Sequence, residues 1–226
     1  MIKKLLTLTL LSSLLFAVEK EPQKIQYSAD FVPAKMSVKE KKKRYFALLV
    51  PSTKKVYNEL LEEYKEVAAS LNQPQMQTRI AQLKSRYSVT SDKDLLLAMK
   101  PHPVSIPLAQ GAMESAWGTS RFFTEANNVF GMWSSNKNQK RVAASVKRGG
   151  TRTIWLRKFD SIEESVRAYY LTIARAKAYK KLRQIRYESD DVYEIIKGLD
   201  KYSEIGEKYV EEIGSVIRYN KLTKYD

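Results

Sequence analysis

The chain has 226 residues, with 40 Lys and Arg against 25 Asp and Glu, one His and no Cys. That inventory excludes disulfides, a Cys–His nucleophile pair and a multi-histidine zinc site, and a Ser–His–Asp triad would have to run through His102, between Pro101 and Pro103. What remains for an enzyme is carboxylate chemistry, the chemistry of glycosidases, and the formal charge of +15 favours a polyanionic partner.

Residues 1–17 have the form of a secretory signal peptide: Lys3 and Lys4, then an uncharged apolar run from Leu5, then the small residue Ala17. The run is too short to span a bilayer, which takes about 20 apolar residues, so no transmembrane helix is expected in the mature chain. An uncleaved anchor or a stray apolar helix is the competing reading. No Cys follows the run, so a lipoprotein site is missing. Export implies a periplasmic or wall-associated protein. Its excess of cations then faces the cell wall or anionic lipid, and nucleic acid is not an expected partner.

Residues 18–37 are polar and Pro-containing, and are predicted to be a flexible lead-in. From Ser37 the pattern turns helical, and residues 38–90 are read as an N-terminal helical extension. KEKKKRYFALLV is a basic, apolar-faced segment predicted to end or kink at Pro51. The basic run from Lys41 to Arg44 is read first as a solvated helix face, with contact to anionic wall or membrane as the alternative. Beyond Pro51, Tyr57, Leu60, Leu61, Tyr64, Val67, Ala68 and Leu71 form one apolar stripe. Pro74 opens a short helix to about Tyr87, and Ser91 or Asp92 caps the next, which stops before Pro101.

The domain over residues 91–226 is expected to centre on PLAQGAMESAW, with Pro107 in the first turn and Gly118 at the end. RVAASVKR, Gly149–Gly150 and TRTIWLRKF read as a β-hairpin with a two-residue turn. Ser161 and Glu164 make a capping box for a long helix with Ile162, Val166, Tyr169, Tyr170 and Ile173 on its apolar face. Two more helices are predicted near 190–199 and 203–219.

On a helix, Gln110, Glu114 and Trp117 fall at i, i+4 and i+7 and share a face, while Ala109, Gly111, Ala112 and Ala116 permit close packing. A Glu among apolar neighbours has its pKa pushed upward, as a general acid at neutral pH requires. A Glu paired with an Arg such as Arg121, or simply exposed, is the competing reading.

The stretch AQGAMESAWGTSRFFTEANNVFGMW resembles the glucosaminidase family (glycoside hydrolase family 73) that includes the flagellar muramidase-type domain and the Bax-like proteins. The family signature A-Q-x-A-x-E-S-x-W-G-x-S, then N-N/A-x-F-G, is met by Ala109–Gln110, Glu114–Ser115, Trp117–Gly118, Ser120 and Asn127 through Gly131. RKFDSIEESVRAYY, KYSEIGEKYVEEIGSVI and the N-terminal KKKRYFALLVPSTKKVYNELLEEY extend the likeness over roughly residues 38–220. The resemblance implies a mainly α, lysozyme-like helical domain with a small β-hairpin lobe, cleaving peptidoglycan glycan strands without cofactor or metal. It makes Glu114 the catalytic acid and puts Tyr202 at the family's cleft tyrosine, with Tyr209 the weaker candidate. Gln110, Ser115, Asn128 and Tyr169 are further substrate-site candidates. Trp117, Phe130 and Trp133 offer flat faces for sugar rings, with core packing the competing reading for Trp117 and Phe130.

One departure limits the mechanism. From Asn127 to Phe159 there is no Asp or Glu, so the second carboxylate that many relatives carry on the β lobe is missing. Asp160, Glu163 and Glu164 follow at a predicted helix cap and first turn. Three readings stay open: hydrolysis of a GlcNAc–MurNAc bond assisted by the substrate's N-acetyl group, a lytic transglycosylase with one carboxylate, and a non-catalytic basic wall-binding module.

Overall fold

A computed structural model describes residues 26–148 and 152–226, so the signal-peptide reading and the Gly149–Gly150 turn lie outside the described residues. Helix α1 (Val38–Ser70) begins at a complete capping box. The Ser37 hydroxyl accepts from the Glu40 N–H, and the Glu40 carboxylate accepts from the Ser37 N–H at 2.8 Å. Contrary to the expected break, the helix runs straight through Pro51 for 33 residues, about 50 Å. Pro51 and Ala47, whose carbonyl loses its usual N–H partner, both lie on the exposed face, where that carbonyl is not sealed into the core. The opposite face is buried through Tyr45, Leu49, Val56, Leu60 and Val67.

A 3-10 turn at Pro74–Met76 leads into α2 (Gln77–Tyr87), and Ser91 caps α3 (Asp92–Met99) by accepting from the Asp94 N–H at 3.0 Å. Val67, Ile80, Leu83, Tyr87 and Leu95 form a small core under the far end of α1. Helix α4 (Ser105–Glu114) is the centre of the main core, buried at every position from Ser105 to Ala112. Its Gly111 is needed for close approach. A Cβ there would meet both the Tyr45 hydroxyl, which donates to Leu108 O at 2.7 Å, and Val129 Cγ1 at 2.7 Å.

After α5 (Arg121–Ala126) come β1 (Arg141–Arg148) and β2 (Arg152–Arg157), an antiparallel pair with Arg141 opposite Arg157 and Ala143 opposite Trp155. The register is irregular between Ala143 and Lys147. Backbone bonds fasten this lobe to the end of α5 and to the loop after it: Phe159 N–H to Ala126 O at 2.8 Å, Arg157 N–H to Met132 O at 2.9 Å and Ser134 N–H to Trp155 O at 2.8 Å.

Ser161 caps α6 (Ile162–Arg175) by accepting from the Glu164 N–H. The predicted capping box is only half made, because the Glu164 carboxylate accepts from the Asp160 N–H instead. The long helix expected here divides at Ala176, where Arg183 donates to the carbonyls of Ile173 and Ala176, and α7 (Lys180–Glu188) sets off separately. Then follow α8 (Val192–Ile195), a 3-10 turn at Ile196–Leu199 and α9 (Glu207–Tyr219). Gly198 of that turn lies against the α7 backbone: a Cβ there would sit 2.3 Å from Leu182 Cα. The main core joins the first half of α1 to α4, α6 and α9, so residues of the N-terminal extension and of the following domain share it.

Arg44 departs from the solvated reading of the basic run. It is buried, and its guanidinium donates to Gly118 O at 2.7 Å and to the carbonyls of Ser28 and Ala29, which holds part of the lead-in against the domain. No helix of the described residues is long and apolar enough to cross a membrane.

Candidate active site

Glu114 is the last residue of α4, and the chain leaves it through a left-handed turn. Ala116 (φ 51°), Trp117 (φ 61°) and Gly118 (φ 71°) all have positive φ. For the two residues with a Cβ this costs on the order of 1–2 kcal/mol each. The turn is held from inside. The buried Ser115 hydroxyl donates to Gly111 O at 2.5 Å and accepts from the Gly118 N–H at 2.8 Å, while the Trp117 N–H bonds Ala112 O. Ser115 is thus a fastener of the turn and does not face the cleft. Trp117 is carried off the α4 face on which it was expected. Its ring meets the edges of Tyr45 and Phe46 on α1, with the Lys42 ammonium 4.7 Å above it.

The Glu114 carboxylate opens on a cleft of about 530 Å³. Phe130, Trp133, Tyr169, Tyr179 and Tyr202 supply its aromatic walls, Arg157 and Thr172 line its β-lobe and α6 sides, and Glu114 is its one acidic residue among the described residues. Partial desolvation raises the Glu114 pKa above the ordinary carboxylate range, and a hydrogen bond from Tyr209 partly offsets this. The carbonyl end of α4 acts in the same direction as desolvation. The sequence reading put Glu114 on a buried helix; the residue itself is exposed to the cleft. It is not paired with Arg121, which binds Glu125 at 2.9 Å and Ala143 O at 2.7 Å.

Behind Glu114 runs a buried chain of hydrogen bonds. The Tyr209 hydroxyl, whose pKa is driven far upward by burial, keeps its proton and donates it to Glu114 Oε1 at 2.9 Å. It accepts from Gln110 Nε2 at 3.2 Å, and Gln110 Oε1 accepts from the Tyr169 hydroxyl. Tyr169 has then spent its only proton, so its oxygen accepts from His102 Nε2 at 2.9 Å. His102 is therefore the Nε2–H tautomer, and burial holds it neutral, with its pKa well below the usual value. Its Nδ1 has no partner among the described residues. The imidazole lies on the Tyr170 ring, centroids 4.6 Å apart.

The structure thus brings Gln110, Glu114, Tyr169, Tyr202 and Tyr209 together. Of the two tyrosines, it is Tyr209 that touches the carboxylate; Tyr202 stacks on Tyr209 at 5.3 Å and lines the cleft. Phe130 is buried and stacks on Tyr169 at 4.2 Å, as its core reading expects, and is also among the residues that line the cleft. Trp133 stands 60% exposed at the cleft mouth. Asn128 does not reach the cleft. It is buried, its amide donating to Met132 O and Arg157 O and accepting from the Met132 N–H, so it shapes the loop that presents Trp133. Sequence reasoning missed His102 and Tyr179. A loop His between two prolines carries no periodic signal, and Tyr179 lies in the 3-10 turn that follows the break in α6. No group of three His, Cys, Asp or Glu side chains fit to hold a metal occurs among the described residues.

Comparison with curated proteins finds no match. Among solved structures, the catalytic domain of the autolysin Auto from Listeria monocytogenes is 17% identical, with a TM-score of 0.47 over 86% of this chain and 100% of that one. A peptidoglycan hydrolase from Sphingomonas sp. A1 is 22% identical, with a TM-score of 0.45 over 62% of this chain and 86% of that one. A glycoside hydrolase domain of Salmonella typhimurium FlgJ is 18% identical, with a TM-score of 0.42 over 62% and 97%. The glucosaminidase family profile, described as mannosyl-glycoprotein endo-beta-N-acetylglucosaminidase, matches residues 93–222, which include Glu114, Tyr202 and Tyr209. The chain belongs to the glucosaminidase family.

Proposed function

We propose that the protein hydrolyses peptidoglycan glycan strands at the β-1,4 bond between GlcNAc and MurNAc, with Glu114 as general acid. The observation that carries this is the Glu114 carboxyl, raised in pKa by its site and opening on an aromatic cleft of sugar size. In the ground state the carboxyl is protonated to a higher pH than an ordinary Glu and hands its proton to the departing glycosidic oxygen. Tyr209 then steadies the carboxylate that remains, since its hydroxyl is already aimed at Oε1. Phe130 and Trp133 offer faces for sugar rings, and Tyr202 stands where it can orient the 2-acetamido group or a water.

With Glu114 the one acidic side chain among the described residues that line the cleft, assistance by the substrate's own acetamido oxygen is favoured, which attacks the anomeric carbon before water opens the intermediate. It also suits a lytic transglycosylase, in which the muramyl 6-hydroxyl displaces the leaving group. Products separate the two: a reducing GlcNAc end for the hydrolase, a 1,6-anhydro-muramyl end for the transglycosylase. Glu114→Gln is expected to keep wall binding and lower cleavage by on the order of 10² or more. Equal cleavage of purified sacculi by both proteins removes Glu114 from the reaction. The leader-like residues 1–17 support export, and the excess of cations suits an anionic wall, where fractionation of cells would find the protein.

A further inference from the structure

The cleft does not end at its aromatic wall. At Arg157 and Thr172 it adjoins a second groove of about 440 Å³, which shares those two residues with it and is lined further by Leu171, Arg175 and Ser88. The chemistry of the wall changes across that boundary. The cleft proper is walled by aromatic rings, and Trp133 also lines a further groove with Trp155. Among the described residues the Arg157–Arg175 groove offers no aromatic ring and no carboxylate, and two guanidinium groups line it. Arg175 is tethered by one bond, Nη2 to the Ser88 hydroxyl at 3.0 Å, which leaves most of its donors open. The Arg157 guanidinium lies over the Phe159 ring at 4.7 Å and has no hydrogen-bond or ion-pair partner among the described residues, although Glu164 is within Coulombic range. Two open, half-fixed guanidinium groups beside a sugar cleft match carboxylates on a branch of the sugar strand.

We infer that this groove seats the carboxylate-bearing peptide branch of the muramyl residue next to the scissile bond. The inference rests on the proposed wall-strand substrate and deepens it: the enzyme reads the branch by charge as well as the backbone by stacking. Binding through Arg157 and Arg175 acts on substrate affinity, so its loss appears in KM and not in kcat.

The test compares peptide-bearing strands with the same strands after carbodiimide and ammonia have converted their carboxylates to amides. The wild type is expected to favour the charged strand in kcat/KM by about five- to tenfold. Arg175→Gln, an exposed position, lowers that ratio through KM, and Arg157→Gln combined with Arg175→Gln brings it to one. A wild type indifferent to amidation, or a double variant that keeps the wild-type ratio, overturns the branch site and leaves the hydrolase reading standing. A wild type that cuts neither strand overturns both.

Discussion

Tyr209→Phe separates the two tasks of the tyrosine that meets Glu114. The ring keeps its volume and its stacking on Tyr202, so the packing of α9 is conserved. Two hydrogen bonds go with the hydroxyl. Gln110 is fully buried, and its Nε2 loses the acceptor it had at 3.2 Å, which costs about 1–3 kcal/mol for an unsatisfied donor. For a chain of this size that is a fall of roughly 2–12 °C in Tm. Glu114 Oε1 loses the donor that favours its ionised form, so its pKa rises further and the alkaline limb of the pH–rate profile moves to higher pH. The sign carries over to stability. The folded variant keeps the Glu114 proton over a wider interval than the unfolded chain, so its deficit against the wild type grows as pH rises above the ordinary carboxylate range. Thermal melts between pH 4 and 8, with kcat/KM over the same range, read both effects. An alkaline limb that stays put or moves down in pH, or a melting temperature within a degree of the wild type, refutes the geometry given for this pair.

Two other substitutions probe what supports the site. Gly198→Ala drives a Cβ to 2.3 Å from the Leu182 backbone, where no side-chain rotation relieves it; urea unfolding should show a loss of about 1–3 kcal/mol, and a change under 0.5 kcal/mol contradicts the close crossing of α7 and the 3-10 turn. Arg44→Met fills the same space but leaves the carbonyls of Gly118, Ser28 and Ala29 without their donor. It should destabilise by about 2–4 kcal/mol and expose residues 26–31 to limited proteolysis; a wild-type digestion pattern refutes the tether.

Much of this was legible because local chemistry and global fold agree. Helix α1 starts where the pattern turns helical after Ser37, Ser91 and Ser161 each cap a helix where their spacing places it, and the apolar face of α6 is buried at Val166, Tyr169, Tyr170 and Ile173. The departures have physical causes that composition does not carry. Pro51 is tolerated because the carbonyl it orphans lies on the exposed face, a matter of which side of α1 meets the core. Trp117 leaves the α4 face because Ser115 and Arg44 stabilise a left-handed turn that Ala116 and Trp117 would not choose alone. The choice between Tyr202 and Tyr209 rests on which of two stacked rings directs its hydroxyl toward α4, and a motif fixes position along the chain but not direction in space. His102 joins the site only through three intermediate side chains, a connection that tertiary packing alone creates.

The fold sets Trp117 apart from the other two tryptophans, Trp133 and Trp155, which line one groove. Trp117 sits among Tyr45, Phe46 and Lys42 in the helical body, Trp155 lies under the Arg141 guanidinium at 4.2 Å, and Trp133 stands at the mouth of the cleft. Indole emission responds to solvent and to nearby charge, so the molecule carries built-in optical reporters. A sugar settling over Trp133 dries that ring and leaves Trp117 dark to the event, whereas melting of the helices floods Trp117 with water. Occupancy and unfolding can thus be followed as two distinct fluorescence signals from an unlabelled protein.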